Sequence, residues 1–186
     1  MRNNNRFEQT EIQSKDNRGF ILSTNGSIPS KNLWSYILML FPNAFVFLWL
    51  RKLVLNLACP NCFKCDFEPG FRFFYGGRIH AKNVSFSDAL LMDYADIYVD
   101  NGSGFGKNCK LITARHHLIN RKLIIAEPIR IGKNVVLATS VIVLGGVSIG
   151  DNSVIGAGSV VTHDIPSNCL AAGNPAKIIK RINYNK

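Results

Sequence analysis

Apolar residues return every sixth position from residue 125 to residue 166. Aligned in sixes, this stretch reads I-A-E-P-I-R, I-G-K-N-V-V, L-A-T-S-V-I, V-L-G-G-V-S, I-G-D-N-S-V, I-G-A-G-S-V, V-T-H-D-I-P. The first position is Ile125, Ile131, Leu137, Val143, Ile149, Ile155 and Val161. The fifth is small or β-branched: Ile129, Val135, Val141, Val147, Ser153, Ser159 and Ile165. An amphipathic helix needs apolar residues every three or four positions, so a helix does not account for this spacing. A solenoid does. Each hexad is then a short strand and a turn, and three hexads close one triangular coil of eighteen residues. Ile131 stacks on Ile149, Leu137 on Ile155 and Val143 on Val161. Successive coils pair through backbone hydrogen bonds about 4.8 Å apart, and Gly, Asn and Asp at the corners tolerate tight turns.

Upstream the register is looser. Val99, Phe105 and Leu111 are six apart, and Ile79, Ser85, Leu91 and Ile97 fit with one polar residue pointing inward. Between Leu111 and Ile125 fourteen residues fill a space for twelve, so the chain loops out just after His116-His117. Residues 1–30 are rich in Asn, Ser, Lys and Gly and read as a mobile polar arm. Residues 33–58 are very apolar, but Pro42-Asn43 splits the run. A membrane span needs about 20 apolar residues, so two short helices are expected over 31–60. They either pack on the domain or lie on a membrane surface with Arg51 and Lys52 at the headgroups. The solenoid domain is expected over 61–172, with a basic tail or helix over 173–186.

The chain has 22 Lys+Arg against 12 Asp+Glu, a net charge of +10. That balance points to a polyanionic partner. No basic face interleaved with aromatics is present, which argues against nucleic acid. Three of the five cysteines read C-P-N-C-F-K-C at 59–65. The spacing is compatible with a metal site, but no fourth cysteine is near, and small apolar side chains entering the solenoid are the simpler reading. No metal is expected. Residues 1–19 are polar and no secretory signal is seen. With an odd cysteine count, a reducing cytoplasm is expected, and the apolar segment leaves room for the inner face of a membrane.

The hexads, together with T-A-R-H-H at 113–117 and A-A-G-N-P-A-K-I-I-K-R-I at 171–182, resemble the hexapeptide-repeat acyltransferases. The resemblance covers roughly residues 66–182. It lies toward the maltose, galactoside and nodulation acetyltransferases and the sugar O-acetyltransferases of surface-polysaccharide synthesis. The resemblance implies an all-β, left-handed parallel β-helix. Spacing does not set the hand, and the general rule for parallel crossovers favours a right-handed turn. It also implies a homotrimer with sites between subunits, and acetyl-CoA as cosubstrate.

By the same resemblance His116 is the general base. It takes a proton from an acceptor hydroxyl or amine that attacks the thioester. His117 is the rival candidate. Backbone N–H groups near Ala138 and Thr139 are expected to face the oxyanion. Asp93 matches an acceptor-binding carboxylate, with a solvated turn aspartate as the plain alternative. Asn83, Tyr94, His117, residues 100–104 and Glu127 are further acceptor candidates. Thr139, Ala157 and Thr162 match positions along the pantetheine arm. Lys180, with Lys177 and Arg181 near it, matches a phosphate contact. His163 stands where a Lys is frequent beside the cofactor, and His80 reads as a turn residue without a role. The expected activity is acetyl transfer to a hydroxyl of a sugar or saccharide precursor. Transfer to an amine is the alternative. A non-catalytic or metal-binding solenoid ranks lower, because metal-binding members space several histidines over adjacent coils.

Overall fold

A computed structural model describes residues 9–10, 20–23 and 55–184. Three parallel faces close a prism. The first face stacks Cys62–Phe63, Ile79–Lys82, Ile97–Val99, Ile129–Ile131 and Ser148–Ile149. The second stacks Gly104–Phe105, Val136–Leu137, Val154–Ile155 and Cys169–Ala172. The third stacks Arg72–Phe73, Leu90–Met92, Lys110–Ile112, Ile142–Leu144 and Val160–Val161. The chain visits the faces in that order in every coil, so each turn leads to the next face and not back along the same one.

The period of six works because both apolar positions of each hexad point inward. Ile131, Leu137, Val143, Ile149, Ile155 and Val161 are buried, and so are Ile129, Val135, Val141, Val147 and Ile165. Ser153 and Ser159 take inward fifth positions with bonded hydroxyls: Ser153 Oγ donates to the Pro166 carbonyl and Ser159 Oγ to that of Gly156. Partners on adjacent coils are eighteen apart here, as in Arg130 with Ser148 and Val136 with Val154. At the corner between the first and second faces Asn134, Asn152 and Asn168 adopt positive φ, which asparagine tolerates better than most residues. Their amides form a ladder, Asn134 Nδ2 donating to Asn152 Oδ1 at 3.1 Å and Asn152 Nδ2 to Asn168 Oδ1 at 3.2 Å.

Several expectations change. Ser85 is exposed, and Val84 and Phe86 point inward instead. The cause is unequal spacing at the corners: Ile79 pairs with Ile97 eighteen residues on, Ser85 with Gly104 nineteen on and Leu90 with Lys110 twenty on, so strict sixes miss the inward set on the second face by one. The apparent slip of two residues after Leu111 is larger. Ile97 pairs with Ile129 and Val99 with Ile131, thirty-two residues apart. Fourteen extra residues therefore leave the wall in one coil. Ile125 belongs to that excursion, and the wall resumes at Ile129. Leu123–Ala126 runs antiparallel to Ala114–His116, and its alternating pattern resembles a hexad.

The N-terminal region is not arm throughout. Phe20–Ser23 pairs antiparallel with Leu123–Ala126, and Gln9–Thr10 pairs with Phe20–Ser23. The run F-I-L is a β-prone stretch that an otherwise polar composition conceals. Of the apolar helices expected over 31–60, residues 55–58 are helical, Cys59 and Pro60 are not, and the rest lies outside the described residues. Among the described residues no helix is long and apolar enough to cross a membrane. The C-terminal segment is neither tail nor helix over Lys177–Arg181. It is an exposed strand antiparallel to Cys169–Ala172, because the bare edge of the last second-face strand offers it a ladder of hydrogen bonds.

Candidate active site

The excursion leaves the prism at the corner between the third and first faces. Thr113, at its root, is buried. Its Oγ1 donates to the Met92 carbonyl at 2.6 Å and accepts the Ala95 N–H at 3.0 Å. On the return side Glu127 N donates to the Thr113 carbonyl at 2.8 Å, and Arg115 Nε lies 3.4 Å from Glu127 Oε2. The two stems cross over Gly145. A Cβ there would stand 2.7 Å from the Thr113 oxygen and 3.0 Å from that of Glu127, so this position excludes any side chain. Thr113, Arg115 and the Gly145-Gly146 pair were not singled out from the sequence. The double glycine inside an otherwise regular hexad was the available signal.

Under the hairpin lies a small apolar cluster of its own: Tyr94, Ala95, Ile124 and Ala126, with Phe74, Tyr75, Met92 and Ala114 packed against it. Burial pushes the Tyr75 hydroxyl up to about 12. Asp93 holds this shelf together. It is fully buried, and its Oδ1 accepts N–H bonds from Phe74 (2.9 Å) and Tyr75 (3.0 Å) while Oδ2 accepts one from Gly76 (2.8 Å). The expected acceptor-binding or solvated carboxylate is thus corrected: both oxygens are engaged by backbone donors inside the protein. Burial raises its pKa above the ordinary carboxylate range, against the pull of the three donors. Asp93→Asn should lose about 1–3 kcal/mol, since an amide places N–H groups against N–H groups; urea unfolding measures it. A raised folded pKa means the folded chain binds the proton more tightly. The contribution of Asp93 therefore favours folding in acid and is lost as pH rises through that raised value. The Asn variant should lack this slope.

His116 ends the strand Ala114–His116 with its side chain exposed. Its Nδ1 is 2.9 Å from the Arg121 carbonyl oxygen. A carbonyl only accepts, so in the neutral ring Nδ1 carries the hydrogen and Nε2 presents a lone pair to solvent. His117 is arranged in the opposite sense. Its Nδ1 accepts N–H bonds from Ile119 (3.2 Å) and Asn120 (3.1 Å), which places its hydrogen on Nε2. Proton acceptance from an approaching hydroxyl is open to His116 as it stands.

The other candidates divide between corners. Tyr94 is buried beneath the hairpin. Thr162 Oγ1 and His163 Nδ1, 2.8 Å apart, lie at the hairpin's own corner on later coils. Thr139 and Ala157 stack eighteen residues apart at the corner between the second and third faces, where Gly158 N donates to the Thr139 carbonyl. Ala138 N–H is already donated to the Ile155 carbonyl at 2.9 Å, so that amide is a wall bond, contrary to the expected oxyanion role. Lys180 and its neighbours Lys177 and Arg181 sit exposed on the C-terminal strand of the second face. Asn83, with φ of 52°, occupies the corner between the first and second faces. Within one chain, then, Asn83 is not beside His116, and the cofactor candidates flank the third face on two sides.

His80 is not a turn residue. It lies on Ile79–Lys82, stacked on Tyr98 at 4.8 Å with Nε2 3.0 Å from Asp96, and Arg130 covers the other side of Tyr98 at 4.5 Å. A groove of about 520 Å³ on this first face is lined by Tyr98, Asp100, Arg130, Ser148, Asp164 and Pro166 among others. Cys59, Cys62 and Cys65 are free thiols at the start of the prism. The hydrogen bond with Cys59, more than burial, pushes Cys62 up to about 12, and Cys65 is raised as well. Cys62 and Cys65 therefore stay in the thiol form near neutrality. Among the described residues no group of three or more His, Cys, Asp or Glu is arranged to hold a metal ion.

The bacterial transferase hexapeptide family, in its six-repeat form, matches residues 128–163. A galactoside O-acetyltransferase of Lactococcus lactis is 42% identical over 145 residues, 72% of this chain and 66% of the relative. This chain belongs to the hexapeptide-repeat transferases. Its solenoid is the left-handed parallel β-helix of that family. A maltose O-acetyltransferase structure from Clostridium difficile superposes with a TM-score of 0.71 at 32% identity, covering 81% of this chain and 84% of that one. A hexapeptide-repeat acetyltransferase from Vibrio cholerae, solved with acetyl coenzyme A, gives 0.70 at 25% identity over 81% and 86%. The chain spans 59% to 66% of the length of three curated relatives, among them the L. lactis and Escherichia coli galactoside O-acetyltransferases.

Proposed function

We propose that the protein is an acetyl-CoA-dependent O-acetyltransferase acting on a hydroxyl of a sugar or saccharide precursor, with His116 as general base. The observation that carries this reading is the contact of His116 Nδ1 with the Arg121 carbonyl, which in the neutral ring leaves the Nε2 lone pair available on the exposed side chain. It is supported by the relatives' names, which specify galactoside and maltose O-acetyl transfer, and by the V. cholerae homologue solved with acetyl coenzyme A. Nε2 takes the acceptor's proton as its oxygen attacks the thioester carbonyl. The tetrahedral intermediate collapses, and the departing thiolate takes the proton back from the imidazolium.

The division of the candidate residues between corners gives the site its second requirement. His116 stands at one edge of the third face, and Thr139 and Ala157 stand at the other. A neighbouring copy is needed to bring the second wall, with Asn83, up to the hairpin. We therefore read the working form as a cyclic homotrimer with sites between subunits. The exposed Lys177, Lys180 and Arg181 then supply cations for the phosphates of coenzyme A. An acetyl-CoA turnover screen over galactosides, maltose and nucleotide sugars tests the reading, with alkaline lability of the product separating ester from amide. An alkali-stable product would replace the hydroxyl acceptor by an amine. No turnover with any saccharide would remove the sugar.

A further inference from the structure

The hairpin that carries His116 is short for its task. Ala114–His116 pairs with Leu123–Ala126 over three residues. The tip between them is bare, with Leu118 88% and Ile119 92% exposed. A two-stranded hairpin by itself is marginally stable in water, yet the base must be held within a fraction of an ångström to act. The stem bonds at Thr113 and Glu127 fix the root, and Ile124 and Ala126 pack one side of the hairpin on the apolar shelf, but neither holds its outer edge. Further out, the free edge of Leu123–Ala126 is taken by Phe20–Ser23, which pairs with all four of its residues. Gln9–Thr10 closes the sheet on the far side. The cross-strand rows run through the site: His116 is opposite Ile124, and Ile124 is opposite Leu22. Arg115, Ile125 and Ile21 form the next row.

We propose that Phe20–Ser23 is the positioning strand of the acetyl-transfer site: it turns a marginal hairpin into a four-stranded sheet and so fixes His116 and its Arg121 carbonyl partner above the corner between the third and first faces. This rests on the reading of His116 as the base. It makes a segment more than ninety residues upstream a working part of the catalytic unit, although the solenoid wall does not use it. The strand acts through His116 and does not touch the reacting atoms.

The test uses the full chain with Ile21→Pro and Leu22→Pro together. Consecutive N–H groups of a strand point to opposite edges, so two adjacent prolines remove one donor from the Leu123–Ala126 edge whatever the register. Ile21→Val with Leu22→Val keeps the strand and serves as control. Acetyl-CoA turnover is followed with methyl galactoside, maltose and water as acceptors, and amide exchange is followed along the chain. The expected result is a fall in kcat of at least about tenfold with the KM for acetyl-CoA within about twofold. Protection should be lost at Leu123–Ala126 and kept from Ile129 to Ile165, and the valine pair should match the parent. In the His116→Ala background the prolines should cause no further fall in kcat. A kcat near that of the parent despite lost protection overturns the proposal, as does unchanged protection at Leu123–Ala126. So does a loss of protection throughout the wall, which would make the strand a general scaffold. If His116→Ala alone leaves kcat unchanged, the reading of His116 fails, and the exchange data still decide whether the strand holds the hairpin.

Discussion

His116→Ala should lower kcat about a hundredfold or more while the solenoid unfolds at the same urea concentration as the parent. General-base catalysis contributes roughly 10²–10⁴ in rate, and removing the imidazole forfeits it. The fold should be indifferent because the side chain is exposed and its Nδ1 bond to Arg121 is local to the hairpin. His117→Ala makes the sharper comparison. That ring is bonded through Nδ1 to the N–H groups of Ile119 and Asn120, so it shapes the tip and offers no free lone pair. Its loss should cost less than about tenfold in kcat. Steady-state kinetics on both variants settles the assignment. Equal losses would mean that the hairpin's shape, and not a particular imidazole, is what matters.

Phe86→Ala should have the largest effect on stability, about 3–5 kcal/mol. The ring is fully buried. It stacks on Phe67 at 5.4 Å, meets Phe71 at 5.6 Å and Phe105 edge-on at 5.1 Å. It thus joins the first coils of the prism to the coil before the excursion. In a solenoid each coil contacts only its neighbours, so a void here uncouples the N-terminal coils from the regular ones. Denaturant unfolding should show a lower midpoint. Ser85→Ala, one residue away, should change the midpoint by less than about 0.5 kcal/mol, because Ser85 is exposed. If the two variants exchanged effects, the register would be the one that strict sixes predict, with residue 85 inside.

That pair of residues marks the limit of the repeat as a guide. From Ile129 to Ile165 every inward position can be read from the hexads, and the structure buries all of them. Upstream, paired residues stand eighteen, nineteen or twenty apart on different faces, and a period of six then names Ser85 where Phe86 belongs. The excursion was legible as a break but not in its size. An antiparallel strand such as Leu123–Ala126 alternates apolar positions and so counts as a hexad by pattern alone. For the site, T-A-R-H-H names His116 with His117 as its rival. The hydrogen bond that distinguishes the two rings is to the Arg121 carbonyl, five residues on in the chain and reached only when the hairpin closes. Asp93 shows the opposite case: a carboxylate read as facing an acceptor is enclosed by the N–H groups of residues 74–76, nearly twenty residues earlier.

By itself the sequence determined the prism of residues 129–165 and its family, because a repeat specifies the same local strands and turns in every coil, although its hand follows from the family and not from the spacing. Only the tertiary structure decided where the fourteen extra residues go, which nitrogen of His116 is open, what Asp93 holds and that Phe20–Ser23 joins the hairpin. These depend on pairings between segments far apart in the chain, made once each, and a contact made once leaves no period to read.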